Sequence, residues 1–233
     1  MDEIEHFEDL LRTFGKPGID VDARQALKDI HNKYLFLFNA LFSPEINILK
    51  ILQPFDDVSE GPLTFGLIFF SLIQFSHRFL FDDYFVNAGE FRKSSDDKGG
   101  AIYFGPLDSK KGRVKFKGES PSKIFTAVSD LLKLLTPFDS DPVKTAVRFY
   151  QQFVYIHPFY DGNGRIGRLT VSIYLRYHGF FIDWEALETE ENRKKLIQKL
   201  NRCHTLANKP WFEKRMQELT RFIEKFISPI PIE

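Results

Sequence analysis

The chain has 233 residues, of which 43% are hydrophobic and 27% are charged, so its composition excludes a disordered protein and suits one domain with a real core. The 32 basic residues balance the 32 acidic ones. The net charge therefore gives no support for a broad nucleic-acid-binding surface.

The first helices of the chain are separated by clear breaks. Apolar residues at helical spacing predict a helix over residues 3–14, which Gly15 ends, and a second helix that Asp22 caps. Pro44 and Pro54 break the chain again. The uncharged run 61–76 is shorter than the roughly 20 residues of a membrane span, so it predicts a buried core helix over residues 63–79. The acidic start lacks the features of a secretory signal.

The composition changes between residues 87 and 117, which are rich in Gly, Lys and Ser. Short alternating runs at 101–104 and 114–116 predict a loop with a β-hairpin. Helices are then predicted again, and the last residues read as a frayed tail. The predicted helical ranges are 123–135, 142–156, 165–177, 185–206 and 210–226.

The one cysteine, Cys203, excludes an internal disulfide and fits a reducing cytoplasm. His204 follows it directly, but adjacent helical residues do not face one site. No second cysteine is available to complete a metal site, so the pair is interpreted as structural.

The most informative segment is residues 156–168, Ile-His-Pro-Phe-Tyr-Asp-Gly-Asn-Gly-Arg-Ile-Gly-Arg. Gly162, Asn163 and Gly164 tolerate positive φ, so the loop can turn backbone N–H groups inward as an anion nest. The loop leads straight into a helix, whose N-terminus adds positive partial charge. Arg165 and Arg168 are three residues apart and share one helix face. This arrangement suits a polyphosphate.

Two further residues of the segment add chemistry that an anion nest lacks. Asp161 would repel phosphate, but it is suited to Mg²⁺, which takes one or two carboxylates together with phosphate oxygens. A neutral His157 at the start of the loop can accept a proton from an attacking hydroxyl. Together these residues predict a site for phosphoryl or nucleotidyl transfer.

The segment resembles the Fic family signature, His-Pro-Phe-x-Asp/Glu-Gly-Asn-Gly-Arg-x-x-Arg, without departure. The resemblance implies a mainly α fold, a Fic-type helical bundle with one β-hairpin flap. It implies transfer of AMP from ATP to a Ser, Thr or Tyr hydroxyl of a target protein. By that resemblance His157 is the general base and Asp161 holds Mg²⁺. The nucleotide phosphates are then bound by Gly162, Asn163, Gly164, Arg165 and Arg168.

The resemblance extends weakly over residues 62–226. The segment 80–92 is similar to the family's approach to the flap, and Trp211-Phe212 resembles an aromatic pair of its late helix. The implied organisation is a helical extension at 1–60, a catalytic domain at 61–227 and a tail at 228–233. The flap at 87–117 would hold the target protein by strand-like pairing. No membrane or nucleic-acid partner is expected, and the sequence leaves a homodimer open.

Many family members are inhibited by a glutamate that pairs with the second signature arginine. In this chain Thr220 and Glu224 have the spacing of that inhibitory motif, although Lys225 replaces its Gly or Asn. The hypothesis is that Glu224 restrains Arg168 in cis. The other interpretations are inhibition by a separate antitoxin partner and no inhibition.

The donor and the activity also have alternatives. Lys194 to Asn201 replace a tyrosine-rich stretch that family members often place near the base pocket, so the resemblance does not fix the nucleobase. The alternatives to AMP are transfer of UMP, GMP or phosphocholine. Another is a toxin-like or regulatory module with little activity. The intact Gly162 to Arg165 run argues against a kinase.

Overall fold

A computed structural model of the chain describes residues 3–42, 61–108, 113–205 and 209–230, with backbone only at 61–64, 107, 108 and 113. The fold is mainly α-helical with a small hairpin, which confirms the predicted class. The helices are α1 Glu3–Phe14, α2 Ala23–Leu41, α3 Gly61–Phe81, α4 Pro121–Leu132, α5 Pro142–Ile156, α6 Asn163–Tyr177, α7 Trp184–Leu187, α8 Glu190–Thr205 and α9 Phe212–Ile223. No helix in the described ranges is long and apolar enough to cross a membrane.

Helix starts follow the capping residues seen in the sequence. The Asp22 carboxylate accepts the Gln25 N–H at 2.9 Å, and the Asp141 carboxylate accepts the Lys144 N–H at 3.1 Å. Each carboxylate satisfies an N–H that the first helical turn leaves without an intrahelical partner. The predicted breaks at Pro44 and Pro54 lie outside the described residues.

The hairpin consists of β1 Tyr103–Asp108 and β2 Arg113–Lys117, which pair antiparallel. A register shift lies between Phe104 and Leu107. The Gly118 N–H donates to the Ile102 carbonyl at 3.0 Å, so the two feet of the hairpin are closed on each other. This hairpin is called the flap below.

Helix α6 is the central element of the bundle, because both its faces are covered. It packs against α2, α3 and α5, and buried residues occupy most of its length. Buried aromatic side chains fill much of the surrounding core, as expected for a chain with 26 phenylalanines. The predicted loop therefore leads into the helix with the most buried residues in the described parts of the chain. The buried residues of α6 are Asn163, Ile166, Gly167, Leu169, Thr170, Val171, Ser172, Ile173, Tyr174 and Leu175.

The prediction of one helix over residues 185–206 is wrong, because the chain breaks between α7 and α8. The Asp183 carboxylate caps α7 by accepting the Ala186 N–H at 2.9 Å. The hydroxyl of Thr189 and the amide of Asn192 both donate to the Ala186 carbonyl. These bonds close a turn after α7, and the side chain of Glu188 in that turn forms an ion pair with Arg168 of α6.

Residues 227–230, just before the last three residues of the chain, are paired rather than frayed. Strand β4, Ile227–Pro229, pairs antiparallel with β3, Phe180–Ile182, and the Ile230 N–H donates to the Gly179 carbonyl at 2.8 Å. This second two-stranded pair was not predicted. The domain boundaries proposed from the sequence stay predictions.

Candidate active site

The predicted loop connects α5 to α6, and the two helices approach closely just after it. An added Cβ at Gly167 would lie 3.1 Å from a ring carbon of Tyr150 and 3.3 Å from a ring carbon of Phe153. Glycine therefore lets the start of α6 pack directly on α5. This packing fixes the position of both ends of the loop.

His157 ends α5 in a left-handed conformation, with φ 54° and ψ 59°. Its Nδ1 lies 3.1 Å from the Val154 carbonyl, so in the neutral ring Nδ1 carries the proton and donates. Burial lowers the pKa of His157 to about 3. The ring is therefore neutral at pH 7, with its second nitrogen, Nε2, free to accept a proton.

The flap covers one face of the His157 ring. The Phe104 ring from β1 stacks on it with centroids 4.4 Å apart and planes at 16°. Behind Phe104, the rings of Phe116, His204 and Tyr155 form an aromatic cluster. Burial lowers the pKa of His204 to about 4, so the aromatic rings beside the base are uncharged at pH 7.

The Asn163 side chain shapes the loop. It accepts the Phe159 N–H at 3.0 Å and donates to the Phe159 carbonyl at 2.9 Å, and it is buried. Both polar groups of the side chain are therefore used within the loop, and the part of Asn163 in binding phosphate stays a prediction. Its backbone N–H still belongs to the first turn of α6.

Two glycines of the loop differ in what they permit. Gly162 has φ 76°, and a Cβ there would lie 2.6 Å from the Phe81 ring. Gly164 has no heavy atom within 4 Å of an added Cβ, so the surrounding described residues do not require glycine there. No side chain caps α6 in the described structure. The helix therefore begins at open space, where its free N–H groups can meet an anion.

Arg165 and Arg168 flank this open N-terminus, and both already contact carboxylates. Arg165 lies 3.2 Å from a Glu3 oxygen and 3.9 Å from an Asp161 oxygen. Arg168 forms an ion pair with Glu188. Its guanidinium carbon also lies 5.8 Å from the ring centroid of Tyr34 and 6.0 Å from that of Trp184, within cation–π distance of both. The Nε of Arg168 is buried without a hydrogen-bond partner in the described structure. A phosphate oxygen would supply one.

Asp161 is suited to a magnesium ion that is shared with a nucleotide. One carboxylate oxygen accepts the Gly162 N–H at 2.6 Å, and the carboxylate is about a quarter exposed. Among the described residues no group of three or more His, Cys, Asp or Glu could hold a metal without further ligands. A single carboxylate fits Mg²⁺, because phosphate oxygens and water usually complete its octahedron.

His77 of α3, which the sequence did not mark as a site residue, fixes the loop. Its Nδ1 accepts the Gly89 N–H at 2.9 Å, so in the neutral ring Nε2 carries the proton and bonds the Asp161 backbone carbonyl. Its ring stacks on Phe159 at 3.9 Å and 15°. Burial lowers the pKa of His77 to about 3, so the ring stays neutral. Its position directly after the uncharged run 61–76 was the available signal.

The predicted contact between Glu224 and Arg168 is wrong. Glu224 is exposed and lines a surface groove with Arg148 and Thr220, and no ion pair in the described ranges joins it to Arg168. Glu188 takes that place, since the break after α7 directs it towards α6. The spacing of Thr220 and Glu224 puts both on one helix face, but that face packs beside α5, away from the loop.

Known proteins resemble both this sequence and this fold. Residues 70–175 match the family model described as Fic/DOC family. A protein adenylyltransferase Fic from Culex quinquefasciatus is 34% identical over 95 residues, which cover 41% of this chain and 17% of that protein. A ribonucleoside-diphosphate reductase small chain from Ostreid herpesvirus 1 is 30% identical over 102 residues, with the same coverage of 41% and 17%. The chain thus spans less than a fifth of these relatives.

Solved structures match over nearly the whole chain. The N-terminal Fic domain of a Bep effector from Bartonella sp. AR 15-3 has a TM-score of 0.61 at 19% identity, covering 92% of this chain and 86% of that one. The BepC protein of Bartonella tribocorum, solved with bound AMPPNP, has a TM-score of 0.56 at 18% identity, covering 93% and 92%. At these identities the likeness establishes a common fold.

Proposed function

Because this chain is a Fic domain protein, we propose that it transfers AMP from ATP to a hydroxyl side chain of a target protein. The observation that carries the proposal is the neutral His157, with Nε2 unprotonated, on the same short loop as an open helix N-terminus and two arginines. The relative named as a protein adenylyltransferase and the neighbour solved with AMPPNP support ATP as the donor.

His157 acts on the nucleophile. The target Ser, Thr or Tyr oxygen attacks the α-phosphorus, while the bond from that phosphorus to the bridging oxygen breaks and pyrophosphate leaves. Nε2 accepts the hydroxyl proton as the new bond forms. The Val154 carbonyl holds Nδ1–H at 3.1 Å, which keeps the acceptor nitrogen directed away from α5.

The other end of the loop binds the phosphates. The first N–H groups of α6, together with Arg165 and Arg168, offset the charge on the β- and γ-phosphates. Asp161 would hold Mg²⁺, which would neutralise phosphate charge when bound. Arg168 exchanges the Glu188 carboxylate for a phosphate oxygen, and its unpaired Nε supplies a further donor.

The target would bind along the flap, where a backbone edge lies beside His157. This partner is an expectation, as are a homodimer and control by an antitoxin. Donors of UMP, GMP or phosphocholine are the alternatives at the same phosphate site. No contact described in the structure favours one base over another, so donor choice is part of the test.

The test is label transfer to protein in a cell lysate, with Mg²⁺ and ATP labelled at the α- or the γ-phosphate. Wild type should give protein label from the α position alone, and His157→Ala should abolish it. Label from the γ position would indicate a kinase and contradict the mechanism. Label only from UTP, GTP or a phosphocholine donor would keep the mechanism and change the donor. No label from any donor would favour a module with little activity.

A further inference from the structure

Arg92 is a buried arginine that forms no ion pair with a carboxylate in the described structure. Only 2% of it is exposed. Burial lowers the pKa of Arg92 to about 10, so the guanidinium is still charged at pH 7. A buried charge is costly unless it is fully hydrogen-bonded. The buried position of the Arg92 guanidinium is therefore explained by the groups that accept its hydrogen bonds.

Backbone carbonyls from three separate segments receive its hydrogen bonds. Nε donates to the His157 carbonyl at 2.8 Å, and Nη1 donates to the Gly100 carbonyl. Nη2 donates to the Glu119 carbonyl at 3.0 Å and lies 3.5 Å from the Ile156 carbonyl. Gly100 precedes the flap and Glu119 follows it, so one guanidinium binds both feet of the flap and the end of α5.

The contacts at His157 act on a strained position. A non-glycine residue at φ 54° is uncommon, because that conformation is strained for a residue with a Cβ. The last carbonyls of a helix have no intrahelical partner, and a cation near them is favourable. Arg92 supplies both a donor and a charge there. Its own backbone N–H also donates to the Pro158 carbonyl at 3.0 Å, one residue further along the loop.

Gly118 lies where the end of the flap meets Arg92 and His157, and the three are closely packed there. An added Cβ at Gly118 would lie 2.7 Å from Ile102, 2.9 Å from Nη2 of Arg92 and 3.2 Å from the His157 Cβ. Gly118 at the end of the flap therefore packs directly against Ile102, the guanidinium of Arg92 and the Cβ of His157. The Glu119 N–H also donates to the Ile156 carbonyl at 2.9 Å.

We propose that Arg92 is a positioning residue, which holds His157 and both feet of the flap as one unit. A target hydroxyl presented on the flap then meets Nε2 in a fixed geometry. The proposal rests on the AMP transfer proposed above. It assigns no contact between Arg92 and the nucleotide, whose phosphates lie at the other end of the loop.

The variant Arg92→Lys tests this, because lysine keeps the charge but donates from one point and cannot reach three segments. We expect kcat for transfer to a protein target to fall about 100-fold, since an error of about 1 Å at the reacting atoms costs that much. The KM for ATP should change less than about threefold on the same reasoning. Hydrogen exchange should accelerate at the amides of Gly118 and Glu119. Guanidinium ion should partly restore kcat in Arg92→Ala.

The matched control is Arg148→Lys, which changes a partly exposed arginine paired with Glu213 on the outer side of α5. It should leave kcat and exchange at the flap unchanged. If Arg92→Lys does not fold, Gly118→Ala is the alternative, because the added Cβ displaces the same guanidinium. It should also lower kcat while leaving the KM for ATP nearly unchanged.

Three results would overturn the proposal. One is a folded Arg92→Lys variant with kcat within threefold of wild type. Another is a fall in kcat matched by an equal loss of nucleotide affinity, which would show a purely structural role. The third is unchanged exchange at Gly118 and Glu119. A silent wild type would instead defeat the proposed AMP transfer, and the exchange measurement would still decide whether Arg92 couples the flap to the end of α5.

Discussion

The two ends of the signature loop, only about a dozen residues apart, have opposite physical character. At the base end, the ring of His157 lies among Phe104, Phe116, Tyr155 and a neutral His204, and the nearby Arg92 guanidinium is buried with its N–H groups bound to backbone carbonyls. The phosphate end carries Asp161, Arg165 and Arg168, and both arginines touch carboxylates. A general base has to be neutral, which burial secures, whereas a polyphosphate site has to present cations.

The same contrast explains how each end is stabilised without substrate. Apolar packing and backbone hydrogen bonds hold the base end, and these need no ligand. At the phosphate end, the carboxylates of Glu3 and Glu188 neutralise the charges of Arg165 and Arg168 when no nucleotide is bound. Changes at the base end should therefore alter turnover, and changes at the phosphate end should alter nucleotide affinity.

The largest expected effect on folding comes from Gly162→Ala, and Gly164→Ala is its matched control. Alanine at position 162 meets both a positive φ and the Phe81 ring at 2.6 Å. We expect a loss of about 2–4 kcal/mol in the free energy of unfolding. Alanine at 164 enters open space and should change stability by less than about 1 kcal/mol. Urea unfolding of both variants checks this, and equal losses would contradict the described loop.

The next effect is on nucleotide binding. Arg168→Ala should weaken the affinity for ATP with Mg²⁺ about 10- to 100-fold, because a charged hydrogen bond contributes about 1.5–3 kcal/mol. Calorimetry with a non-hydrolysable analogue measures it. Glu224→Gly is the control and should leave affinity and transfer unchanged, since Glu224 lies away from Arg168. Stronger nucleotide binding or faster transfer in Glu224→Gly would instead support the prediction that Glu224 restrains Arg168.

The remaining effect is the response of stability to pH. Burial lowers the pKa of His157 and of His77 to about 3 and that of His204 to about 4, whereas all three are near 6.5 in the unfolded chain. Below pH 6.5 the unfolded chain binds protons that the folded one does not, so stability falls as pH falls towards 4. Each histidine contributes up to about 1.4 kcal/mol per pH unit.

Urea midpoints at pH 7, 6 and 5 measure this loss, and His204→Phe should make it shallower, because phenylalanine fits the aromatic cluster without titrating. An unchanged slope in that variant would show that His204 is not the buried neutral group described.

The sequence predicted what is local and missed what is long-range. Most helices, and the placement of Asp161, Arg165 and His157 on one loop before α6, follow from periodicity, caps and spacing within the sequence. His77 and Arg92 act on the loop from about 65 to 85 residues away, and a linear pattern does not show which carbonyls they bind.

Glu188 was missed for a related reason. The helical periodicity of 185–206 conceals the break that Thr189 and Asn192 close by bonding to Ala186. Without that break Glu188 would be one more surface glutamate, and the matching spacing of Thr220 and Glu224 drew attention to the wrong carboxylate. The pairing of β3 with β4 joins segments too short and too distant to register as strands in the sequence.

The most direct test of this division of roles measures nucleotide binding and AMP transfer in the same His157→Ala protein. Transfer should fall by at least about 10³-fold, in line with the contribution of a general base, while the affinity for a non-hydrolysable ATP analogue stays within about threefold of wild type. Transfer that survives the substitution would contradict the assignment of His157 as the base. Loss of binding together with transfer would contradict the separation of the two ends of the loop.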